Sequence, residues 1–154
     1  MIRLVDVDEE NFLDIVRLRV EENQTGFLDS AQGILARGYV YRKNRARVIG
    51  IAYNQKIVGV ALVKDMDEEP ACYDLQQFMI DRNFQNKGYG TQSLRQILFE
   101  LEQERKYNCV EVCVKQNDAQ ALRVYEKVGF QDTGYIDERV PDCLNLVYYF
   151  KNNK

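Results

Sequence analysis

Histidine is absent from all 154 residues. That absence removes Ser–His and Cys–His catalysis, and with them the side chain that ordinarily titrates near neutrality. Acid–base chemistry is left to Asp, Glu, Tyr, Lys, Cys or bound water. The four cysteines, Cys72, Cys109, Cys113 and Cys143, include no C-x-x-C pair, so a structural zinc site has too few ligands at the wrong spacing. They read as reduced strand residues in a reducing compartment, and no metal is expected. No apolar run is longer than a strand, so no membrane span or membrane partner is expected. Met1 leads into Ile2-Arg3-Leu4-Val5-Asp6 without the apolar core of a secretion signal, which predicts a cytoplasmic location. Repeats, low-complexity runs and Pro/Gly/Ser linkers are missing too, and one domain over residues 1–154 is expected.

Positive charge is also in short supply. Lys and Arg number 21 against 24 Asp and Glu, for a net charge of −3 and a pI of about 5.1. Nucleic-acid binding needs clustered basic residues, so that partner is not expected. An acidic surface suits a cationic substrate, and it serves plain solubility equally well.

What is present is ordered hydrophobic patterning. Met1 to Val7 alternates as a strand, and Asp8 is placed to cap a helix carrying Phe12, Ile15, Val16 and Val20. A second helix is expected over Ser30 to Arg37, ending at Gly38. Val48 to Tyr53 and Lys56 to Val63 flank Asn54-Gln55 as a hairpin, followed by an exposed acidic loop from Asp65 to Pro70. Cys72 to Ile80 is a strand. Thr91 to Arg105 is the clearest helix, with Leu94, Ile97, Leu98 and Leu101 on one face. Cys109 to Val114 is a strand with Val110, Val112 and Val114 on one side. Asp118 to Val128 is a helix closed by Gly129, and Phe130 to Tyr135 with Leu144 to Phe150 form a last antiparallel pair. The order βααβββαβαββ predicts an α/β protein, a mixed sheet with helices on both faces.

Gln85-Asn86-Lys87-Gly88-Tyr89-Gly90-Thr91 joins a strand to the best helix. Its glycines let backbone approach a ligand closely, and the amides of the helix start point outward at the positive end of the dipole. That combination suits a phosphate or pyrophosphate, with Lys87 adding a cation. It matches neither the Walker P-loop nor the three-glycine dinucleotide fingerprint.

Phe78-Met79-Ile80-Asp81 followed by Gln85 to Gly90 resembles the acetyl-CoA motif of the GNAT superfamily, [QR]-x-x-G-x-[GA]. Asn117-Asp118-Ala119-Gln120-Ala121 and Tyr125 to Phe130 resemble its second motif at the expected distance. The resemblance spans Val48 to Tyr135. It implies one N-acetyltransferase domain with acetyl-CoA as cosubstrate, and a mostly antiparallel sheet whose central strands splay around the pantetheine arm. Phe78, Met79 and Ile80 would pair with that arm, Gln85 to Thr91 would hold the pyrophosphate, and an amide near Met79 would polarise the thioester carbonyl. Asn117 would contact the cofactor, or cap the following helix. Tyr125 would protonate the leaving thiolate, although a core tyrosine would show the same periodicity. Asp74 stands where some relatives carry a catalytic carboxylate; others use water.

Val20 to Gln24, with Phe27 and Ser30, resembles the substrate-side helices of bacterial spermine/spermidine acetyltransferases. Glu21, Glu22 and the Asp65–Glu69 loop would then attract a polyamine. A protein or drug amine, or a non-catalytic acetyl-CoA module, are the alternatives. The resemblance also admits a homodimer.

Overall fold

A computed structural model of the chain describes residues 1–151. Its elements run β1 (Ile2–Asp6), α1 (Phe12–Val16), α2 (Ala31–Val40), β2 (Arg47–Tyr53), β3 (Lys56–Met66), β4 (Cys72–Ile80), α3 (Tyr89–Glu104), β5 (Cys109–Lys115), α4 (Ala119–Val128), β6 (Gln131–Asp132) and β7 (Cys143–Tyr149). The element order read from the periodicity is the order observed. The strands form one sheet in the order β1-β2-β3-β4-β5-β7-β6, antiparallel throughout except for the parallel pair β4–β5. Among the described residues no helix is long and apolar enough to cross a membrane.

The sheet is covered on both faces. On one side Leu94, Ile97, Leu98 and Leu101 of α3, with Tyr125 and Val128 of α4, pack on Val63, Leu75, Val110 and Val112. Each such large apolar side chain stabilises the fold by about 1.5–3 kcal/mol relative to exposure. On the other side Ile15, Ala31 and Ile34 meet Val60, Leu62 and Met79.

Two features of β4 position the site. Its register against β3 shifts between Leu62 and Val63, which pair with Gln77 and Leu75, so Gln76 is an extra residue in a bulge. Its pairing with β5 is confined to Tyr73–Val110 and Asp74–Glu111. Beyond Asp74 the two strands part and open a cleft, the splay that the resemblance implies.

Several elements differ from expectation. Asp8 does accept from the amides of Glu10 and Asn11, at 2.9 and 3.0 Å, but α1 stops at Val16. Val20 lies outside it because Arg19 is held from below: its amide donates to Asp81 and its carbonyl accepts from Arg82. Helix α2 runs through Gly38 to Val40. Gly38 is not a cap there; a Cβ would sit 2.5 Å from Val48 Cγ2, so the glycine lets the helix lie against β2. Asp65 belongs to β3 rather than to an exposed loop, and is buried between Lys106 at 2.7 Å and Arg45 at 3.1 Å. The last pair is shorter, with β6 reduced to Gln131–Asp132.

Candidate active site

A cleft of ≈ 420 Å³ lies where β4 and β5 diverge. Its floor is Phe78, Met79 and Ile80 of β4, and one rim is Asn86, Gly88, Gly90 and Thr91. Helix α4 forms the opposite wall, and Val20, Gln24, Phe27 and Leu28 close the inner end. The structure therefore brings together eight of the eleven proposed cofactor residues, Gln85 included, and Tyr125 with them.

The rim is an anion cradle by local geometry. Gly88, the residue before α3, has φ 85° and offers no capping side chain, whereas Ser30 caps α2 and Asp118 caps α4. The first amides of α3, those of Tyr89, Gly90 and Thr91, have no carbonyl one turn earlier in the helix to bond. Gly90 and Thr91 line the cleft, with the positive end of a 16-residue helix at this point. A pyrophosphate fits this set. Tyr89 itself does not line the cleft; its ring stacks on Tyr53 at 4.6 Å and wedges the turn in place. Lys87 stays exposed beside Phe84.

Tyr125 is 5% exposed and packs edge-on against Phe130 at 5.2 Å, with Phe78 at 6.4 Å. Its hydroxyl has no hydrogen-bond partner among the described residues, yet the residue borders the cleft. The hydroxyl itself is not enclosed, since Asp65 Oδ1 is the one buried polar side-chain atom without a hydrogen-bond partner among the described residues. It opens to the cleft, where a ligand can meet it. Burial, and then the charge of Asp118, raise its pKa, so the phenol stays protonated across the working range.

Three glutamines missed as a group by sequence reading close the cleft. Gln24 Nε2 donates to Gln85 Oε1 and to Gln120 Oε1, both at 3.1 Å. Gln85 Nε2 returns a bond to Gln24 Oε1 at 3.0 Å and holds Ile80 O at 2.9 Å. Beneath them Asp81, 7% exposed, accepts from the amides of Arg19 and Asn83 and fixes the N-terminal segment to the end of β4. Residues separated by 61 and 96 positions meet here, and no local pattern announces that.

Other candidates stand elsewhere. Asp74 does not line the cleft; it faces Lys64 at 3.5 Å. Burial pushes its carboxyl up and Lys64 draws it back. Asn117 is exposed and does not cap α4; that bond, 3.2 Å to the amide of Ala121, belongs to Asp118. Glu21 and Glu22 are exposed at the turn that carries Gln24. The Asp67–Glu69 loop precedes β4, and Gln24 meets Gln85 beyond its other end. Nine strand residues at about 3.3 Å each separate these acidic segments, so they do not form one patch. All four cysteines are free. Burial raises the Cys72 thiol and pushes Cys113 up to about 12, which leaves neither poised as a nucleophile.

The sequence profile of the Acetyltransferase (GNAT) family matches residues 7–130. The spermine/spermidine N(1)-acetyltransferase of Bacillus subtilis (strain 168) is 28% identical over 143 residues, covering 88% of this chain and 91% of that protein. Among solved structures, the spermidine N-acetyltransferase of Vibrio cholerae, in complex with CoA and spermine, superposes with a TM-score of 0.73 at 16% identity. That match covers 96% of this chain and 95% of the other. An aminoglycoside acetyltransferase in complex with coenzyme A gives a TM-score of 0.77 at 16% identity, over 97% and 95% of the two chains.

Proposed function

The chain belongs to the GNAT acetyltransferase family, and from that premise we propose that it transfers the acetyl group of acetyl-CoA to a primary amine of a polyamine such as spermine or spermidine. The observation that carries the catalytic reading is Tyr125, a buried phenol with no protein partner at the wall of the cleft.

Acetyl-CoA supplies an activated acyl group on a thiol leaving group. The chain's residues bind and orient it. The amides from Asn86 to Thr91 hold the pyrophosphate, and the β5-facing edge of Phe78 to Ile80, left unpaired by the splay, takes the pantetheine arm as an added strand. The amide near Met79 donates to the thioester oxygen as negative charge builds there. Tyr125 donates its hydroxyl proton toward the departing sulfur. The attacking amine, with a pKa of about 10.4, must first lose a proton. Asp74 is tied to Lys64 outside the cleft, so proton removal by water, or reaction of the small neutral fraction of amine, accords better with its position.

Support for a polyamine comes from the Bacillus subtilis relative and from Glu21 and Glu22, exposed beside Gln24 at the inner end of the cleft. Asp65 contributes nothing to that attraction, being neutralised in the core. In competition at equal concentrations, spermidine is expected to be acetylated ahead of a peptide N-terminus, with a rate that falls as salt rises. A clear preference for the peptide would remove the polyamine assignment and leave acetyl transfer intact.

A further inference from the structure

Arg123 and Lys127 stand one turn apart on the stripe of α4 that also carries Gln120 and Val124, and all four line the cleft. Both cations are exposed, and neither forms an ion pair among the described residues. Arg95 joins them: its Nη2 reaches the carbonyl of Lys127 at 3.5 Å, and it too pairs with no carboxylate among those residues. On a chain of net charge −3, three unpaired cations in one place are a local reversal of the average surface. The helix dipole accounts for a cation in the last turn of α4, which is Lys127, but not for Arg123 in mid-helix.

Their position is specific. Arg95 lies one turn beyond Thr91 on α3, on the same face, and Thr91 belongs to the anion cradle. At its start α4 is tied through Gln120 to Gln85, and near its end it meets Arg95. The cations therefore lie just beyond the pyrophosphate amides, on the side away from the Gln24 end of the cleft. Asp118 is the acid lining the same cleft, more than a turn before Arg123, and its carboxylate is occupied by the Ala121 amide.

We propose that Arg123 and Lys127, backed by Arg95, bind the ribose 3′-phosphate of acetyl-CoA and set a preference for it over thioesters that lack this group. The inference rests on acetyl-CoA being the cosubstrate. A phosphate monoester carries a charge of about −1.5 to −2 at neutral pH. The guanidinium fork of Arg123 meets two of its oxygens, and Lys127 adds a point charge.

Calorimetry with CoA and with 3′-dephospho-CoA tests it. The wild-type protein is expected to bind CoA about tenfold or more tightly, the scale of one charge-assisted hydrogen bond, with the ratio shrinking as salt rises. In Arg123→Gln/Lys127→Gln, both changes at exposed positions, the ratio should fall to near one through weaker CoA binding. Lys43→Gln, which removes an exposed cation on the connection between α2 and β2, should keep the wild-type ratio. Equal affinities in the wild-type protein, or a ratio unchanged in the double variant, would overturn this inference alone. Failure to bind either ligand would overturn the acetyl-CoA reading and this inference with it.

Discussion

Tyr125→Phe is expected to lower kcat by on the order of 10²-fold, the lower range for removing a general acid, while acetyl-CoA affinity and melting temperature stay close to those of the parent. The hydroxyl makes no bond to the protein among the described residues, so its removal orphans no partner, and the ring keeps its contacts with Phe130 and Phe78. This separates the two roles open to a buried tyrosine. A structural hydroxyl would cost about 1 kcal/mol of stability on deletion and spare turnover. The raised pKa of Tyr125 fixes the pH behaviour as well. Because burial keeps the phenol protonated, the proton donor is present throughout the working range. The rate should climb with pH as the amine, of pKa about 10.4, is deprotonated, with no descending limb from Tyr125. Steady-state kinetics and a thermal melt on the one variant decide the matter. A stable Phe variant with full turnover would assign protonation of the sulfur to water.

The second large effect is expected at Gly90. A Cβ there would meet Ile80 Cγ1 at 3.7 Å, an ordinary contact, and the residue sits in the first turn of α3 without a left-handed backbone. Gly90→Val should therefore fold as well as the parent, since valine is no worse than glycine in a helix. Its branched side chain occupies the space where a phosphate must approach the amides. Affinity for acetyl-CoA is expected to fall about 100-fold, near the upper end of what a lost charge-assisted hydrogen bond costs. Gly88→Val makes a poorer test. With φ at 85°, a branched residue adds left-handed strain of about 1–2 kcal/mol whether or not a ligand is bound. Calorimetry on folded Gly90→Val decides the point, and unchanged affinity would show that the turn does not hold the cofactor.

How much of this was legible in the sequence follows from range. The succession of strands and helices rests on periodicities within single segments, and it was readable throughout. So was the turn from Gln85 to Thr91, where Gly88 stands just before the amphipathic helix and Gly90 in its first turn. The burial of Asp65 is not legible, because it depends on Arg45, Arg47 and Lys106, drawn from segments that only the folded sheet brings together. Nor is the place of Gly38, because a glycine needed for close packing on Val48 looks like a helix end in one dimension. The Gln24–Gln85–Gln120 bonds are tertiary and carry no sequence period. Arg123 and Lys127 were open to reading: with Gln120 they repeat at helical spacing, in the helix already assigned to the cofactor wall.

Acetyl transfer itself is tested most directly by following product. The protein is incubated with acetyl-CoA and spermidine, free CoA thiol is titrated, and the amine is examined by mass spectrometry. One acetylated spermidine is expected for each CoA released, at a rate that saturates in both substrates. Acetyl-CoA that binds the protein and is never consumed, with spermidine or with any other primary amine, would rule out acetyl transfer.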